Sequence, residues 1–65
     1  MNYSDTMKTL NTAYEECLRF WERENIPNPK QEALNDIKRM TTNPFTPHGE
    51  SLDEKAKSDF IKSAE

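Results

Sequence analysis

From Asp5 to Glu24 the chain runs for twenty residues without a glycine or a proline. Across that stretch Tyr3, Met7, Leu10, Tyr14, Cys17 and Trp21 follow one another at steps of 4, 3, 4, 3 and 4. Steps of three and four return to the same side of an α-helix, so these six residues predict one apolar seam along a long helix. Ser4 is the expected N-cap, and Asp5 sits where the helix dipole favours a negative charge. After Asn25 the run Ile26-Pro27-Asn28-Pro29 forbids continuation, because proline lacks the N–H and restricts the residue before it. The spacing therefore predicts a first helix over 5–24.

Two shorter helices are expected after it. Pro29 suits a first helical turn, and Asn28 with Gln31 has the form of a capping box, which predicts a helix over 29–41 with Ala33, Leu34, Ile37 and Met40 inward. Residues 42–50 hold two prolines and the only glycine of the chain, the composition of a loop. Ser51-Leu52-Asp53-Glu54 has the form of a second capping box, opening a helix over 51–64 with Leu52, Ala56, Phe60 and Ile61 inward. No period-two alternation suggests a strand. The expected fold is all-α, a single small three-helix bundle over 1–65, one long helix followed by two shorter ones.

The flanks of the first-helix seam are wider than a two-stranded coiled coil requires. Ala13, Leu18 and Phe20 add apolar surface beside it, which suits a helix with neighbours on both sides. The other two helices offer few large side chains to cover it. Burying each large apolar side chain contributes roughly 1.5–3 kcal/mol, while ordering each residue costs about 1.5 kcal/mol. A lone chain of 65 residues is thus marginal. Intramolecular core, pairing of two first helices in a homodimer, and a groove for another protein are three uses of this stripe. The residues expected to meet a partner are Tyr14, Leu18, Phe20 and Trp21, with Arg19 and Arg23 at the rim.

Several function classes are disfavoured by composition. Nine basic against twelve acidic residues give a net charge of −3, the wrong sign for a strongly basic nucleic-acid binder. The nine-residue segment 42–50 is too long for the tight turn of a helix-turn-helix, and Lys30, Lys38 and Arg39 share their helix with Glu32 and Asp36. Neither nucleic acid nor membrane is an expected partner, since no run approaches the ~20 apolar residues of a span. Cys17, the single cysteine, has no intrachain disulfide mate and reads as a small buried hydrophobe. His48, the single histidine, lies in the Pro-rich loop with no ligand spacing around it. Catalysis, cofactors and metals are therefore not expected. Glu15 and Glu16 stand four and three residues before Arg19, the pattern of a solvated, ion-paired helix face. Asn43-Pro44-Phe45 allows a tight turn; the plainer expectation is that Phe45 packs back and anchors the loop. With no secretory signal at Met1–Leu10, the chain is expected to be soluble and cytoplasmic.

Phe20-Trp21-Glu22-Arg23-Glu24-Asn25-Ile26-Pro27 resembles the end of the first helix in the theta-subunit family of bacterial DNA polymerase III, small three-helix accessory proteins that bind a proofreading exonuclease. The resemblance rests on Glu22-Arg23-x-Asn25-Ile26-Pro27 and stops at Asn28-Pro29; 31–40 and 51–64 do not match that family's later helices, so membership is not inferred. The functional expectation is a non-catalytic, self-associating module that binds and modulates a protein partner. The alternative is a dimeric regulator linked to transcription or replication.

Overall fold

Asn2 opens the first helix. Its side-chain Oδ1 accepts the backbone N–H of Asp5 at 2.7 Å, and its carbonyl accepts the N–H of Thr6 at 3.0 Å. These bonds satisfy donors that a helix N-terminus would otherwise leave unpaired. The computed structural model describes residues 1–65 and contains three helices, α1 (Tyr3–Arg23), α2 (Pro29–Arg39) and α3 (Glu54–Ala64), with no strand. The protein is thus an all-α three-helix bundle, as its proline punctuation and periodicity predict. α1 packs against both shorter helices, and α2 and α3 touch each other.

The helix boundaries differ from expectation in instructive ways. Asn2 rather than Ser4 caps α1, which brings Tyr3 into the first turn, where its hydroxyl donates to Asp59 Oδ2 at 2.6 Å. That bond, more than any other influence, raises the Tyr3 pKa above its ordinary value. α1 ends at Arg23, and Asn25 adopts φ 58°, the left-handed conformation that asparagine tolerates better than most residues, while its N–H donates to the Glu22 carbonyl at 3.1 Å. The expected Asn28–Gln31 box does not form. Asn28 lies between two prolines at φ −137° and ψ 73°, makes no side-chain cap, and Gln31 Nε2 donates to Asn35 Oδ1 instead. α2 stops at Arg39, two residues early, because Met40 turns extended.

The largest shift is at α3. Ser51 is not its cap: it lies in an isolated antiparallel bridge with Thr42, and Asp53 caps the helix by accepting the Ala56 N–H at 2.9 Å. Leu52 N–H donates to the Thr41 carbonyl, and Asn43 N–H to the Glu50 carbonyl. The Pro-rich segment is therefore closed at its base. Gly49 turns it at φ +60°, a conformation L-residues with a Cβ rarely adopt. Lys57 Nζ donates to the Met40 carbonyl, placing a cation at the C-terminal end of α2, where free carbonyls concentrate partial negative charge.

Only ten of 65 residues are buried, so each one counts. Leu10, Ala13, Ile37, Leu52 and Phe60 form the core cluster, with Met7, Tyr14, Met40 and Ile61 packed on it. The seam on α1 is rotated from the expected line: its deepest residues are Thr6, Leu10 and Ala13, while Met7 and Tyr14 flank them and Tyr3 is 42% exposed. Two helices rather than one cover α1, so the inward line falls between them. Thr6 is fully buried, and its Oγ1 accepts the N–H of Asp53 at 3.0 Å. Replacing the hydroxyl by a methyl in Thr6→Val keeps the shape and strands that N–H, so urea unfolding should show a loss of about 1–3 kcal/mol. An unchanged midpoint would show that the bond contributes nothing.

Candidate functional site

The end of α1 has an environment of its own. Cys17, Leu18, Phe20, Trp21 and, after the turn, Ile26 belong neither to the core cluster nor to the side chains packed on it. Trp21 is half-buried and its Nε1–H donates to Asp36 Oδ2 on α2 at 2.7 Å. Asp36 Oδ1 in turn accepts from Arg39 Nη1 at 3.3 Å. The indole is thus held by a carboxylate that is itself held, a small network bridging α1 and α2. Phe20 lies 4.9 Å from it, ring centroid to ring centroid, at an interplanar angle of 87°, and is 49% exposed. Edge-to-face contact of this kind favours the paired arrangement of the two rings by about 0.5–1.5 kcal/mol.

The six residues expected to meet a partner do not form one patch. Tyr14 is partly buried and packs its ring edge-on against Phe60 at 5.9 Å, on the side of α1 that α3 covers. Leu18 is one turn further along that side. Phe20 points elsewhere, since residues two apart on a helix are separated by about 200° around its axis. Arg19 and Arg23 are exposed, and neither is ion-paired. The expected Glu15–Arg19 and Glu16–Arg19 bridges do not form, in keeping with the small net value of exposed pairs. The structure therefore brings together Phe20 and Trp21, leaves Arg19 and Arg23 exposed and without an ion-pair partner, and packs Tyr14 against the core.

Two shallow clefts flank this end. One, of about 420 Å³, is lined by Trp21, Ile26, Pro27, Asn28 and Glu32. The other, of about 310 Å³, lies between α1, α2 and the closed loop, and includes Ala13, Cys17, Met40 and Phe45. Phe45 does not anchor the loop by burial: it is 47% exposed. Asn43 takes that part, since it is buried and its Oδ1 accepts the Phe45 N–H at 2.8 Å, closing a local turn. Asp36 and Phe45 were not among the expected site residues. For Asp36 the available signal is its place three residues after Ala33 and next to Ile37, an acid at the edge of an apolar stripe.

Cys17 is half-buried on the floor of the second cleft, where burial first and the Asp36 carboxylate second push its thiol pKa up. His48 is exposed at the loop tip, and no group of three or more His, Cys, Asp or Glu side chains converges as a metal site would. No helix is long and apolar enough to cross a membrane.

Fold and site together define a small all-α bundle with an aromatic pair half outside its core. No family model, curated protein or solved structure matches the chain.

The thiol supplies a test of this geometry. Alkylation of Cys17 by iodoacetamide, followed against pH, should show a midpoint above that of an ordinary thiol. Asp36→Asn removes a negative neighbour and should move the midpoint down. A wild-type midpoint at the ordinary value would contradict the placement of Cys17 beside Asp36.

Proposed function

We propose that this chain is a non-catalytic protein-binding module, which engages a protein partner through the end of α1 and modulates it. The observation that carries the reading is the Phe20–Trp21 pair. Large apolar side chains with fixed rotamers lose little entropy on binding, and aromatic anchors beside arginines are enriched at interface hot spots. Phe20 is half exposed while its neighbour is tethered to Asp36, so the pair is set before any partner arrives. Arg19 and Arg23 are exposed and unpaired on the same helix end, and on this reading they tune specificity through charge.

A second copy is one partner of this kind. The middle of the seam, Met7, Leu10 and Tyr14, is taken up within the chain by its own core, so self-association on this reading uses the Phe20 edge rather than Leu10 and Ala13. The single cysteine is free, which suits a reducing cytoplasm.

Phe20→Ala is the discriminating variant because the side chain lies half outside the fold. Immobilised wild-type chain should retain a partner from cell extract that the variant loses, with helicity by circular dichroism unchanged. Loss of one hot-spot aromatic costs about 2 kcal/mol or more of binding free energy, enough to remove a micromolar complex from a washed support. Identical capture by the two chains would overturn the proposal.

A further inference from the structure

The exposed side of the end of α1 carries both halves of an ion pair that the chain does not close on itself. At about 100° of turn per residue, Glu16 and Arg23 fall on one flank of Phe20, about 40° and 60° round the helix axis from it. Both are exposed and neither has a salt-bridge partner. Seven residues of helix hold them about 10 Å apart, so they do not serve each other. Phe20 stands between them, 49% exposed.

An acid four residues before an exposed aromatic and a base three residues after it make a surface complementary to its own copy. In an antiparallel pair of helices related by a two-fold axis, each flank meets the same flank of the other copy, and what lies before the axis meets what lies after it. With the axis at Phe20, Glu16 lies about 6 Å along the helix on one side, and Arg23 of the second copy lies about 4.5 Å along on that same side. Two Glu16–Arg23 pairs thus close around a Phe20–Phe20 contact. A parallel pair would instead set Glu16 against Glu16 and Arg23 against Arg23. On the other flank the two Glu24 side chains stand about 12 Å apart along the axis, so no like charges are opposed there. Arg19, about 100° round from Phe20, falls at the outer edge. Phe45 extends the surface, since it is 47% exposed and lines the same cleft as Glu16, which the second copy's helix end passes. Phe20 and Phe45 are two of the three exposed large apolar side chains; the third, Tyr3, is bonded to Asp59 at the far end of α1.

We infer that the occupant of the α1 end is a second copy of this chain: two copies pack antiparallel about Phe20, with Glu16 of each facing Arg23 of the other. The inference rests on the protein-binding reading above and names its partner. A few helical turns and one loop side chain from each copy make a small contact, so the complex exchanges readily, with a dissociation constant above about a micromolar.

Sedimentation of the full chain under reductant, from about ten micromolar to about one millimolar, should show monomer giving way to dimer. Phe20→Ala should weaken the dimer about tenfold or more. Glu16→Arg and Arg23→Glu should each weaken it about tenfold or more, because each reversal sets like charges against one another twice. Mixed in equal amounts, the two reversed chains should associate within about threefold of the wild type, since every opposed pair again joins an acid to a base. All three positions are exposed, and circular dichroism establishes that the variants keep their helices. Where a reversal costs helicity, Phe20→Ala decides alone. No dimer at about one millimolar, a dimer indifferent to Phe20→Ala, or a mixture of folded reversed chains that associates no better than either alone overturns the assignment. If no dimer forms while the Phe20-dependent capture from extract persists, the occupant is another protein: this inference falls and the protein-binding reading stands. If both fail, both fall.

Discussion

The hydroxyl of Thr6 accepting the N–H of Asp53 joins the two ends of the chain's folding problem. Thr6 lies in the second turn of α1, has no exposed surface, and sits forty-seven residues from its donor. Asp53 is the cap of α3, so the residue whose carboxylate starts that helix has its own N–H taken up by α1. A buried polar side chain is tolerable only with its partner in place, which ties the formation of α3 to its docking on α1. The loop before Asp53 is then closed by Thr42–Ser51, Leu52–Thr41 and Asn43–Glu50, and Leu52 is delivered into the core.

From that constraint follows what remains outside. α3 and its cap dock on the Tyr3–Tyr14 portion of α1, where Asp59, Asp53 and Phe60 meet Tyr3, Thr6 and Tyr14. The last turns of α1 are left with α2 and the Pro27 turn. Trp21 is secured there by Asp36 rather than by packing into the core cluster, and Phe20 is not covered. A body of 34 × 26 × 16 Å is little thicker than one and a half helices, so an apolar residue on the wrong side of α1 has nowhere inside to go. The exposed aromatics are a consequence of chain length and docking geometry together.

Much of this was legible in the residues. Prolines at 27, 29, 44 and 47 divide the chain where the helices divide, and Leu34, Ile37, Leu52, Ala56 and Phe60 are buried as their spacing predicts. Thr6 was not legible as core, because a stripe counted in apolar residues passes over a threonine, although it stands four before Leu10 and seven before Ala13. The caps moved for a related reason. Several residues near each helix start can cap it, and tertiary bonds choose among them: Tyr3 to Asp59 favours Asn2, and Thr6 to Asp53 favours Asp53 over Ser51. At the site, Phe20 and Trp21 were readable as aromatic surface near a helix end. Their separation from Tyr14 was not, since it depends on which side of α1 receives α3. Phe45 escaped for a local reason, the Asn43 side chain taking the inward place that a phenyl ring would be expected to fill.

The central claim is that the end of α1 presents a fixed aromatic pair outside the core, and the single tryptophan makes it directly measurable. Time-resolved fluorescence anisotropy of Trp21, with acrylamide quenching on the same sample, reads mobility and accessibility at one residue. The account predicts an indole that is reached by quencher yet turns only with the whole molecule, on the nanosecond scale of its tumbling, with faster internal motion confined to a small amplitude. A large, fast internal component would mean that the Asp36 bond does not hold the ring, and full protection from acrylamide would mean that the pair is core; either result contradicts the account.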